Sequence, residues 1–113
     1  MKTFYRVSNV DTEQGLWYDT KGEFTGLIHT SFDFCTNNKL EMPFDEEIVG
    51  FLSAVEELDQ LWEWFTKEDI MSLQEHDYFI HEYQVNKHKF YERFNHEVIE
   101  QKSSILTKRI ILL

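Results

Sequence analysis

The residues YFIHEYQV, Tyr78 to Val85, constrain the fold more than any other stretch of the chain, because here the apolar period changes from 3.6 to 2. A strand at this point needs other strands beside it. The alternating, β-prone candidates lie at the two ends: TFYRVSN at 3 to 9, and then KFYERF, HEVIEQ and SILTKRIILL after residue 88. Turns are expected near Asn95 and at Lys102 to Ser104. The expected fold is therefore α+β: one domain over 1–113, with an antiparallel sheet from N- and C-terminal strands and a helical, acidic middle packed against it. At 113 residues, two domains would each bury too little surface to be stable.

The middle reads as helical. DEEIVGF predicts one turn that Gly50 interrupts. Ser53 and Glu56 have the capping-box spacing, and Val55, Leu58, Leu61, Trp62 and Phe65 then share one helical face, predicting a helix over 54–65. Thr66 and Asp69 repeat the capping spacing and predict a second, short helix through Ile70, Met71, Leu73 and Gln74. Three of the four glycines fall in QGLWYDTKGEFTG, residues 14 to 26. There DTKG at 19–22 predicts a β-hairpin turn, with Gly15 and Gly26 placed where close packing or a bulge is wanted. TSFDFCTNN at 30–38 reads as a further strand or extended loop.

Charge is distributed more tellingly than its total of −10 suggests. Residues 40–86 hold 13 acids and a single base, Lys67, so this segment carries more than the whole net charge. Such a surface cannot grip a nucleic-acid backbone, since phosphate contacts need Lys and Arg. It can resemble one. Glu56, Glu57, Asp59, Glu63, Glu68 and Asp69 are the candidate partner-binding acids for a basic protein surface, with Trp64, off the main apolar stripe, as a candidate anchor. The bland alternative is a solvated face serving solubility.

Other chemistries find little support. No apolar run reaches the length of a membrane helix, and MKTFYRVSNV lacks the apolar stretch of a secretion signal, so a cytoplasmic protein is expected. Cys35 has no second thiol and reads as a small core residue. His76, His81 and His88 have no zinc-site spacing, and no metal is expected. Phosphate-binding glycine loops and nucleophile elbows are absent, so no catalytic residue is assigned on motif grounds.

Phe4-Tyr5-Arg6-Val7, Gly15-Leu16-Trp17-Tyr18, Leu52-Ser53-Ala54 and Leu61-Trp62-Glu63-Trp64-Phe65 occur in an order that resembles small accessory proteins of tailed bacteriophages. The resemblance implies a non-enzymatic protein made in an infected cell. Its partner would be a host nucleic-acid-handling or defence protein, which it binds and disables. A more distant resemblance is to the ADP-ribosyltransferase fold, with its Arg, Ser and Glu on successive strands. It implies catalytic roles for Arg6, Ser53 and Glu97 or Glu100, with NAD as cofactor, although HEVIE spaces its acids three apart where that family commonly has two. A third alternative is self-association through the apolar IILL tail.

Overall fold

A full-length antiparallel ladder joins the two ends of the chain in the computed structural model, which describes residues 1–16, 46–93 and 95–113. Strand β1 (Lys2–Asn9) pairs with β3 (Tyr78–Val85) from Lys2↔Val85 to Asn9↔Tyr78. β3 also pairs with β6 (Ile105–Ile110), with a bulge between Glu82 and Tyr83, so the first sheet has the order β1-β3-β6. A second three-stranded sheet sets β5 (His96–Glu100) between β2 (Phe51–Ala54) and β4 (His88–Tyr91). The α+β class holds, but the strands form two sheets rather than one. They meet at an antiparallel bridge, where Tyr5 and Val55 exchange backbone hydrogen bonds of 2.8 and 2.9 Å.

The expected strands and turns at the C-terminal end are where the sequence places them. Asn95 takes φ 57°, a left-handed conformation that Asn tolerates, and a 3-10 turn at Gln101–Ser103 joins β5 to β6. A 3-10 turn at Glu46–Ile48 precedes Gly50, whose φ of +94° is natural only for glycine. The hairpin expected over 14–26, beyond Leu16, the strand or loop expected over 30–38, and Cys35 lie outside the described residues.

The helix expected over 54–65 does not form. Ser53 is no helix cap; it lies inside β2, opposite Val98, with its Oγ 2.8 Å from His96 Nε2. Ladder bonds to β5 and the seam at Val55 claim the backbone through residue 55, and tertiary pairing overrides a local capping pattern. What remains is a 3-10 helix at Leu58–Glu63, entered through Glu57 N–H donating to Gln60 Oε1 at 2.9 Å. Leu58, Leu61 and Trp64 are three apart, the spacing that shares a face in a 3-10 helix, and all three pack on the core. The second capping box is as expected. Thr66 Oγ1 accepts from Asp69 N–H at 3.1 Å and Asp69 Oδ2 from Thr66 N–H at 3.0 Å, starting helix α1 (Lys67–Gln74).

Directly opposed residues share a sheet face, which sorts the strand residues into two sets. On one face Val7 and Ile80 pack with Leu16, Val55, Leu61, Phe65, Ile70, Leu73 and Tyr78, so the 3-10 helix and α1 cover this side. On the other, Phe4, Ala54, Tyr83, Val85 and Ile99 form a second cluster that spans both sheets. Arg6, Ser8 and His81 are buried beside it, polar groups in core positions. No helix among the described residues is long and apolar enough to cross a membrane.

Candidate functional site

Arg6 illustrates how far strand position can mislead. As a charge on a first strand it reads as a surface residue or an anion ligand, yet β1 has neighbours on both sides and the side chain is 3% exposed. Its Nη1 donates to the Glu13 carbonyl at 2.8 Å and its Nε to the Ser53 carbonyl at 3.3 Å. Burial lowers its pKa, opposed by Tyr83 and Glu13, and burial likewise raises that of Tyr83. Gly15 lies against this guanidinium: a Cβ there would sit 2.8 Å from Nη2. The expected close packing at Gly15 is packing on Arg6.

The four residues of the transferase-like reading do not converge. Arg6 and Glu97 belong to one sheet face, while Ser53 Oγ and Glu100 belong to the other, because residues an odd number apart along a strand point oppositely. Each is engaged locally. Glu97 contacts His88 Nδ1 at 3.1 Å, Glu100 lies 3.6 Å from Lys87 Nζ, and Ser53 bonds His96; Arg6 reaches Ser53 only through its backbone carbonyl.

Of the candidate acids, Glu56 and Glu57 after β2, Asp59 and Glu63 on the 3-10 helix and Glu68 on the first turn of α1 are exposed, an acidic ledge that follows the chain from the end of β2 into α1. Asp69 leaves the set. It is 5% exposed, and its carboxylate is bound to the helix N-terminus that it caps. Glu56 holds Lys2 Nζ at 2.9 Å, an exposed pair worth little in stability.

Trp64 is half-buried rather than projecting. Its indole packs against the His96 ring in a tilted contact, centroids 4.8 Å apart and planes inclined by 58°, and it forms one wall of a cavity of about 260 Å³. Glu56, Glu63, Glu97 and Phe90 line the same cavity, and Phe90 is 55% exposed. His96 and Phe90 were not legible as site residues in the sequence. The available signal was the turn at Asn95, which fixes the register that sets Phe90 opposite Glu97; His96 comes beside Ser53 through the long-range ladder of β2 and β5.

The three histidines weighed as ligands lie apart in role: His76 is exposed after α1, His81 is buried beside Arg6, and His88 packs on Phe4 at 4.9 Å. Among the described residues no group of three or more His, Cys, Asp or Glu is arranged to hold a metal. No family model, curated protein or solved structure matches this chain.

Proposed function

We propose that the chain is a non-enzymatic binding protein whose acidic ledge docks on a basic protein surface. In keeping with the bacteriophage resemblance, the partner is a nucleic-acid-handling or defence protein of the host cell, inhibited when its nucleic-acid groove is filled. The observation that carries this reading is the exposure of Glu57, Asp59, Glu63 and Glu68 together, in a stretch whose only base over 46–86 is Lys67. Carboxylates fixed on a short rigid helix and its neighbour present negative potential to a partner without a large ordering cost.

Affinity capture from host lysate tests it. A basic partner is expected to be retained at about 0.05 M salt and released near 0.5 M, where charges are screened within a few ångströms. The triple variant Glu57→Lys, Asp59→Lys, Glu68→Lys is expected to lose that partner while keeping its fold, since all three side chains are exposed. Capture that is indifferent to both salt and charge reversal overturns the reading.

A further inference from the structure

We infer that the cavity beside Trp64 is a receptor for one arginine side chain of the basic partner. This reverses the role that an isolated tryptophan suggests: Trp64 is not a knob that enters the partner, but a wall that receives it. The inference rests on the acidic-ledge reading and specifies where that ledge takes its central contact.

Size comes first. A volume of about 260 Å³ lies just under the roughly 300 to 1,000 Å³ of sites that enclose drug-sized ligands, so it suits one side chain better than a nucleotide. The lining then selects the chemistry. Trp64 and Phe90 offer aromatic surface, Phe90 being exposed on β4, and Glu56, Glu63 and Glu97 set carboxylates around it. An apolar guest would leave these acids facing it, and an anion would be repelled. A cation with a flat apolar face satisfies both kinds of wall.

Existing contacts leave one carboxylate available. Lys2 engages Glu56 at 2.9 Å and His88 engages Glu97 at 3.1 Å, whereas Glu63 has no ion-pair partner among the described residues. A guanidinium lying against the indole can donate two parallel N–H bonds to Glu63. A lysine ammonium lacks both the planar face and the fork. Tryptophan is also the ring on which a cation is held best. The His96 ring, bonded to Ser53 Oγ and packed at a tilt against Trp64, holds the indole in place before the guest arrives.

The test is a two-dimensional NMR titration of the full chain with acetyl-Gly-Arg-Gly-amide, alongside the same peptide carrying lysine or uncharged citrulline. The expected result is a saturable shift of the Trp64 indole N–H, with those of Trp17 and Trp62 unmoved. Affinity is expected to be about fivefold weaker for lysine, and saturation lost for citrulline. Glu63→Gln and Phe90→Ala change exposed side chains, so their spectra should stay dispersed while arginine affinity falls about fivefold or more. No saturable shift at Trp64, an equal response to citrulline, or equal affinity for lysine overturns the inference. The pocket can fail without the function failing: the tripeptide then does not bind, yet partner capture still depends on Glu57, Asp59 and Glu68, which lie outside the cavity walls.

Discussion

At the scale of single residues, the most constrained group is the buried chain His81, Ser8 and Tyr83, closed at the surface by the exposed Arg109. Arg109 Nε donates to His81 Nε2 at 3.0 Å, which leaves the ring proton on Nδ1 to bond Ser8 Oγ at 2.7 Å; Ser8 then lies 2.8 Å from Tyr83 Oη. The imidazole is held neutral in one tautomer. Burial, with Arg109 and Arg6 nearby, lowers its pKa to about 4 from the ordinary 6.5. The unfolded chain therefore binds a proton between these values that the folded chain refuses. This contribution to stability is complete above about pH 6.5 and is lost as pH falls toward 4. Urea unfolding is expected to show about 2 kcal/mol less stability at pH 4.5 than at pH 7 from this residue. His81→Gln, which can keep both hydrogen bonds but cannot titrate, should remove that part of the slope. An unchanged slope in the variant would show that His81 is not its source. Nothing in alternation alone announces this cluster: Arg6 and Ser8 alternate with Tyr5 and Val7 and read as solvent-facing unless both faces are covered, while His81 shares its beat with Phe79, Tyr83 and Val85.

Elements differ in how much of themselves they write locally. The box at Thr66 and Asp69 is self-contained, four residues satisfying each other's backbone groups, and it is legible at once. An eight-residue helix is too short to stand alone, so α1 depends on this cap and on the burial of Ile70 and Leu73. Thr66→Ala is expected to cost about 1 kcal/mol, read as a lower urea midpoint with an unchanged slope. A shift within error would mean that packing alone holds the helix. The box at Ser53 and Glu56 has the same spacing and means nothing of the kind, because what decides it lies far along the chain, in the pairing of Ser53 with Val98 of β5 and of Val55 with Tyr5 of β1. The pattern Val55, Leu58, Leu61, Trp62, Phe65 fits an α-helix and also fits a strand end followed by a 3-10 turn. Only the ladder to β5 separates them. The ledge acids were legible as exposed charge, whereas the cavity was not, since its walls come from the 3-10 helix, β4 and β5, and no local pattern records that junction.

At the scale of the whole molecule, two sheets with different strand orders behave as one body only if their junction is as firm as their ladders. The described backbone bonds across it are those of the Tyr5 and Val55 bridge, but packing reinforces the seam from both sides. Phe4 of the first sheet packs with Ala54 and Ile99 of the second, and Val55 itself belongs to the cluster under α1. Burial of that kind outweighs two hydrogen bonds, each worth about 1 kcal/mol net. Native-state hydrogen exchange should therefore give the amides of Val98 and Ile99 protection close to that of Phe4, Arg6 and His81, the signature of a single cooperative unit. Val55→Pro tests the seam selectively, since it deletes the N–H that donates to the Tyr5 carbonyl and leaves both ladders intact. Protection at Val98 and Ile99 is expected to fall well below that at Arg6 and His81, whose ladder from β1 to β3 does not cross the seam. Equal loss in both sheets would mean that the bridge nucleates the whole fold. No loss would mean that side-chain packing alone joins the sheets. The measurement also bears on the cavity: Trp64 and Glu63 approach it from the 3-10 helix that follows the bridge, Phe90 and Glu97 from the second sheet, so a loosened seam should weaken arginine binding before the protein unfolds.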